Sequence, residues 1–183
     1  VFCSDNGPVL DDGYKDAAIT KLGKHRPSGK YRGGKYSIYE GGTRTPFIVN
    51  WPVKVSSGES SAMVCTIDMA TSFAKMVGQA IPDNAFPDSL DVHGALLGKP
   101  NSQGRDHLLQ QPNKGPTLAL RVGDWKVLSY ANAKPKKHLT FEKGPGKYEL
   151  YHLATDPQEK TNLATSNPAK LKELLSQLEK IKA

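Results

Sequence analysis

The second half of the chain shows the alternation of apolar and polar positions that is typical of β-strands. Gly123 and Asp124 separate two such runs, and this pair suits a two-residue hairpin turn with glycine at the first central position. Strands are predicted at residues 106–110, 118–122, 125–129 and 148–153. The pattern therefore predicts a small antiparallel sheet of about four strands.

The end of the chain contains apolar residues at helical spacing, preceded by a recognisable helix start. Asn167 is a favourable N-cap, and Pro168 stands at the first helical position, where a missing N–H is tolerated. One apolar stripe follows, made of Leu171, Leu174, Leu175, Leu178 and Ile181. We expect this stripe to pack on the predicted sheet, so that residues 104–183 form an α+β subdomain.

The first half contains fewer regular elements, and their order is typical of the edge of an α/β sheet. Residues 1–4 and 47–51 are predicted as buried strands, and residues 66–77 have helical apolar spacing. Strand, loop, strand and helix is the order found in α/β sheets. We therefore predict an α/β portion over residues 1–103, with a domain boundary near its end.

The composition of the 183-residue chain is that of a folded protein. Hydrophobic residues make up 37% and charged residues 23%, which excludes wholesale disorder. The chain has no apolar run of the roughly 20 residues that a membrane span needs, so no membrane partner is predicted.

The net charge of +7 is concentrated in a basic loop that ends at Lys35. Asp16 is the one acidic residue between Tyr14 and Lys35, against the basic residues Lys15, Lys21, Lys24, Arg26, Lys30, Arg32 and Lys35. The glycines of this loop, together with Pro27, favour an anion-binding role. A second basic stretch, residues 134–147, is expected to be a solvated loop. No recognition helix, zinc finger or aromatic-studded sheet is indicated, so no nucleic-acid partner is predicted.

Two short motifs contain residues suited to chemistry. Asp5 and Asn6 follow the first predicted strand, and their side chains offer the hard oxygen ligands that Ca²⁺ or Mg²⁺ prefers. Two ligands alone cannot complete a calcium site, and the same residues also suit a plain turn. Further along, glycine pairs flank Lys35, whose ammonium group suits an oxyanion.

Taken together, these motifs resemble the C-terminal part of the type I sulfatases, or arylsulfatases. The resemblance rests on Ser-Asp-Asn-Gly-Pro at residues 4–8 and on Gly-Lys-x-x-x-Tyr-Glu-Gly-Gly-x-Arg-x-Pro-Phe-Ile-Val-x-Trp-Pro at 34–52. A third motif, at residues 149–164, begins Glu-Leu-Tyr-His-Leu. The motifs occur in the family's order and cover essentially the whole chain. The resemblance implies the edge of an alkaline-phosphatase-like sheet, and export to the periplasm or the outside.

The resemblance also implies roles for individual residues. Asp5 and Asn6 would be two ligands of the active-site Ca²⁺, which is preferred over Mg²⁺. Lys35 would contact the sulfate group and stabilise the departing oxygen. His25 and Arg32 are candidate substrate contacts on the basic loop. Two further residues, Glu40 and Arg44, are expected to be structural, with substrate contact as the alternative.

The family's nucleophile is not found in this sequence. Such sulfatases use a formylglycine made within a Cys/Ser-x-Pro-x-Arg motif, and neither Cys3 nor Cys65 stands in one. The chain is therefore expected to be a C-terminal fragment that is inactive by itself. Its expected partner is a sulfate ester, such as that of a sulfated carbohydrate. The open edges of its first two predicted strands would also allow self-association.

Two other functions fit the same residues. The chain could belong to a phosphomonoester or phosphonate hydrolase of the alkaline-phosphatase superfamily, which also uses metal-bound oxyanions. Alternatively, it could be a non-enzymatic module that binds polyanions through the basic loop.

Overall fold

The structure, a computed structural model, describes residues 1–9, 11–113, 116–130 and 146–182. The strands are β1 (Phe2–Cys3), β2 (Phe47–Ile48), β3 (His107–Gln110), β4 (Leu118–Val122), β5 (Trp125–Ser129) and β6 (Tyr148–His152). The α-helices are α1 (Ala18–Lys21), α2 (Glu40–Thr43), α3 (Met69–Met76), α4 (His93–Leu96) and α5 (Pro168–Lys182). Most of the predicted second basic stretch, residues 134–147, lies outside the described residues.

The chain forms two compact units that are interleaved in sequence. One consists of residues 1–3 and 46–108, and the other of residues 4–45 and 109–183. The basic loop and the Lys35 motif therefore belong to the same unit as most of the four-stranded sheet. The predicted division at residue 103 places them in different domains. The division at residue 103 stays a prediction about domains.

The first unit contains a two-stranded antiparallel ribbon in which Phe2 pairs with Ile48 and Cys3 pairs with Phe47. The predicted burial of these strands is wrong for this chain, because Phe2 is 67% exposed and Ile48 is 56% exposed. A ribbon of two short strands has no second layer on which to bury its side chains. The antiparallel pairing extends over two residues of each strand.

A buried ion pair between Asp68 and Arg105 links the helical part of the first unit to the segment before β3. The predicted helix over residues 66–77 is confirmed as a 3-10 turn, Thr66–Asp68, followed by α3. Asp68 is completely buried, and its carboxylate accepts hydrogen bonds from Arg105 Nε at 2.9 Å and Nη2 at 2.6 Å. It also accepts the backbone N–H of Leu90 at 2.9 Å. The hydrogen bonds with the Asp68 carboxylate stabilise the charged form of Arg105 and so raise the pKa of Arg105.

The predicted four-stranded sheet, in the order β3-β4-β5-β6, has β4, β5 and β6 in the second unit. The predicted hairpin is confirmed: Val122 pairs with Trp125 across the turn, and Gly123 adopts φ +55°, which glycine tolerates best. β6 pairs antiparallel with β5, with Leu150 opposite Val127.

Helix α5 covers one face of this sheet, as predicted. Its start is at Pro168, and the side chain of Asn167 accepts the N–H of Lys170 at 3.3 Å. The two most buried members of the stripe, Leu174 and Leu178, pack with residues of β4, β5 and β6. Ile181 is 39% exposed, so the stripe leaves the core at its last turn. None of the helices in the described residues is long and apolar enough to cross a membrane.

Candidate functional site

The Asp-Asn-Gly turn is held against helix α2 by glycine-to-glycine packing. Gly7 donates its N–H to the carbonyl of Gly42 at 2.9 Å. A Cβ atom on Gly7 would lie 1.9 Å from the carbonyl oxygen of Gly41, so the contact requires glycine. The motif at residues 34–52 therefore contacts the motif at residues 4–8 directly, through backbone atoms.

The loop of Lys35 joins the same assembly. The N–H of Lys35 donates to the carbonyl of Pro8 at 2.8 Å. A Cβ atom on Gly42 would lie 2.5 Å from the carbonyl oxygen of Gly34. We call Gly7, Gly34, Gly41 and Gly42 the glycine platform. Its packing brings the backbones of the Asp5–Asn6 turn and of Lys35 together.

The side chain of Lys35 is paired with an acidic residue that the sequence did not single out for this role. Lys35 Nζ lies 3.3 Å from Asp12 Oδ2, and the hydroxyl of Tyr36 donates to Asp12 Oδ1. The hydrogen bonds with Tyr36 and Asp12 raise the pKa of Lys35. The bond from Tyr36 likewise lowers the pKa of Asp12. Lys35 is therefore a stable cation at neutral pH.

The predicted calcium ligands offer the expected donor atoms. Asp5 is exposed, and Asn6 is half-buried with its Nδ2 donating to the carbonyl of Gly7 at 3.0 Å. Among the described residues no group of three or more His, Cys, Asp or Glu could hold a metal ion. A carboxylate and an amide oxygen on a fixed turn fit a part of an oxygen-rich Ca²⁺ site. Their role as ligands stays a prediction.

The two predicted substrate contacts have different surroundings. His25 is exposed on the basic loop. Arg32 lies over the ring of Tyr39, 3.8 Å from its centroid, and donates to the carbonyl of Glu159 at 3.1 Å and to the hydroxyl of Tyr151 at 3.3 Å. The guanidinium thus connects the basic loop to strand β6 and to the segment that follows it. Substrate contact by either residue stays a prediction.

The structural role predicted for Glu40 is confirmed. Its side chain is buried, with Oε1 accepting a hydrogen bond from Lys126 Nζ at 3.0 Å. Arg44 and Arg121 each place Nη1 3.7 Å from Glu40 Oε2. Sequence reasoning missed Lys126, because a lysine in an alternating strand is normally expected to face water.

A second buried polar cluster surrounds Glu149. Its Oε2 accepts hydrogen bonds from the hydroxyl groups of Tyr39 at 2.9 Å and Tyr151 at 2.7 Å. Burial raises the pKa of both tyrosines, so each stays protonated and able to donate. Tyr39 immediately precedes α2, so this cluster also fixes the helix that supports the glycine platform.

Comparisons with known proteins agree with this arrangement of motifs. Residues 33–183 match the family described as N-sulphoglucosamine sulphohydrolase, C-terminal. The chain is 44% identical to an N-acetylgalactosamine-6-O-sulfatase of Bacteroides thetaiotaomicron, covering 100% of this chain and 36% of that protein. It is 29% identical to human arylsulfatase A, covering 100% of this chain and 37% of that protein.

Solved structures show the same similarity in three dimensions. A structure from work on the metabolism of multiple glycosaminoglycans by Bacteroides thetaiotaomicron superposes with a TM-score of 0.89 at 43% identity. It covers 99% of this chain, which spans 38% of that one. A sulfatase from Pseudoalteromonas, at 23% identity and a TM-score of 0.67 over 99% of this chain and 36% of its own, shares the fold. The chain thus spans little more than a third of its relatives, and it belongs to the sulfatase family, of which it matches the C-terminal part.

Proposed function

We propose that this chain is the C-terminal part of a sulfatase that hydrolyses a sulfate ester of a carbohydrate. The observation that supports this most is the packing of the glycine platform, together with the backbone hydrogen bonds from Gly7 to Gly42 and from Lys35 to Pro8. Candidate metal ligands and a candidate sulfate-binding cation therefore come from two backbone segments that pack against each other. The four-stranded sheet and α5 support these segments.

Asp5 and Asn6 would supply two oxygen ligands to a Ca²⁺ ion. Bound Ca²⁺ would supply positive charge to the sulfate oxygens and so favour attack on sulfur. The remaining ligands would come from residues outside this chain, as would the formylglycine nucleophile of the family. The isolated 183-residue chain is therefore expected to release no sulfate.

Lys35 would act on the sulfate group as a charged donor. An ammonium group in a partly buried site stabilises negative charge that grows on an oxygen in the transition state. The pairing with Asp12 and the hydrogen bond of Tyr36 hold the cation charged and restrict its position. Because the benefit is greatest when the leaving oxygen becomes charged, the loss of Lys35 should lower kcat more than it raises KM.

The substrate proposed is a sulfated amino sugar. The relative that is 44% identical to this chain over 184 aligned residues is an N-acetylgalactosamine-6-O-sulfatase. The exposed part of the basic loop, which includes Lys24 and Arg26 on either side of His25, adds positive charge from these two residues that would attract a polyanionic saccharide. Arg32 is tied into the fold and would contribute through the position of this loop.

The test compares matched esters with the full-length protein that contains this chain. Sulfate release from 6-O-sulfated N-acetylgalactosamine should exceed phosphate release from the corresponding 6-phosphate. Asp5→Ala should lower bound calcium, measured by elemental analysis, and sulfate release together, whereas Asp83→Ala on an exposed loop should change neither. Faster phosphate release would favour a phosphoester hydrolase. Saccharide binding without turnover of either ester would favour a polyanion-binding module.

A further inference from the structure

Lys126, the second residue of strand β5, is completely buried. Its Nζ donates to the carbonyl of Ile38 at 2.9 Å and to Glu40 Oε1 at 3.0 Å. It also lies 3.0 Å from Glu159 Oε1. A buried ammonium group carries a large desolvation cost, so separating it from its partners is strongly unfavourable.

Glu159 completes this cluster from the segment that follows β6. It is fully buried, and its Oε2 accepts the backbone N–H of Glu40 at 2.6 Å. Glu159 itself adopts φ +52°, a left-handed conformation that is unfavourable for a residue with a side chain. Together, Lys126 and Glu159 fix both the backbone and the side chain of Glu40, the first residue of α2.

Helix α2 connects this cluster to the candidate site. Directly after Glu40 come Gly41 and Gly42, the two members of the glycine platform that receive the Asp5–Asn6 turn. The N–H of Gly41 donates to the carbonyl of Arg32 at 2.7 Å. The platform glycines are therefore the next two residues after Glu40 in the same helix, and a shift of Glu40 would displace them directly.

We propose that Lys126 and Glu159 are positioning residues that fix α2, and through it the turn of Asp5 and Asn6 and the loop of Lys35. This inference deepens the proposed function and rests on it for its effect on catalysis. Both residues would act through Glu40 without touching the substrate. The segment after β6, which supplies Glu159, would then be part of the catalytic support rather than a surface connection.

The experiment uses the full-length protein with Glu159→Ala and, as a control, Glu173→Ala, whose side chain is exposed on α5. Hydrogen exchange is followed at a temperature where both variants are folded. In Glu159→Ala, peptides covering residues 5–9 and 34–43 should exchange at least ~10-fold faster than in the control, while β4 exchanges as in the wild type. Glu159→Gln, which keeps an oxygen for the N–H of Glu40, should restore most of the protection.

Kinetics supply the second readout. Glu159→Ala should lower kcat for sulfate release about 10-fold or more, with KM changed by less than about threefold, because the binding surface remains while the reacting groups are displaced. Unchanged exchange in both peptides would overturn the proposed positioning, whatever the activity. If Glu159→Ala does not fold, Glu159→Gln and Lys126→Met are compared instead, and unchanged exchange in both would overturn it. If the wild-type protein releases no sulfate, the proposed function fails, and the exchange data alone decide whether the ions fix the platform.

Discussion

Replacing Gly7 by alanine should damage the candidate site through a contact that the structure defines closely. The new Cβ atom would lie 1.9 Å from the carbonyl oxygen of Gly41, whereas ordinary contacts begin at 3.4 Å. The turn and α2 must separate by about 1.5 Å, which costs roughly 1–3 kcal/mol as overpacking. Separation also breaks the hydrogen bond from Gly7 to Gly42, worth about 0.5–1.5 kcal/mol. We expect Gly7→Ala to destabilise this part of the protein by roughly 2–4 kcal/mol.

The same displacement should lower activity more than stability alone explains. A misplacement of about 1 Å between reacting groups can reduce the rate roughly 100-fold. Urea unfolding and kcat are measured for the full-length protein with Gly7→Ala and with Gly58→Ala, whose added Cβ would meet nothing within 4 Å. Gly58→Ala should behave as the wild type. Equal stability and equal kcat in the two variants would refute the role of the glycine platform.

Three further predictions concern the supporting structure. Leu174→Ala should destabilise the sheet unit by about 2–5 kcal/mol in urea unfolding, whereas Ile181→Ala, at a half-exposed position, should cost less than half as much. Asp68→Ala should cost about 3–5 kcal/mol by leaving Arg105 without its buried partner, and a loss below about 1 kcal/mol would contradict this. Burial raises the pKa of Glu159 above its usual 4.5 despite the attraction of Lys126, so the folded state binds this proton more tightly than the unfolded state. The contribution of Glu159 to stability should therefore fall as the pH rises above 4.5 towards the raised pKa, and E159Q should lack this fall in unfolding measured across that range.

Local signals were sufficient to predict the second half of the fold. The hairpin turn at Gly123 and the start of α5 at Pro168 are confirmed because each depends on residues adjacent in sequence. The burial predicted for Phe2 and Ile48 is wrong because apolar runs indicate only that a strand is suited to a buried environment. They do not report whether a second layer is present in the same chain.

The candidate site could be predicted only in part, for a related reason. Its residue types were evident in two short motifs, and the glycine platform places those motifs together. The burial of Lys126 was not predictable, because its partner Ile38 lies 88 residues away in the chain. Strand alternation assigns a lysine to the solvent side, and only the tertiary structure shows that the segment leading into α2 covers it. Asp12 was missed likewise, since its contact with Lys35 spans a loop with no regular pattern.

The most direct test of the proposed function is kcat for sulfate release by the full-length protein carrying Lys35→Ala. The matched control is Lys54→Ala, which removes an exposed lysine from the other compact unit. A charged donor that stabilises the leaving oxygen contributes about 100-fold or more to kcat, so Lys35→Ala should lower it by that factor while Lys54→Ala leaves it unchanged. A kcat for Lys35→Ala within about threefold of the control would contradict the assignment of this lysine to the sulfate group.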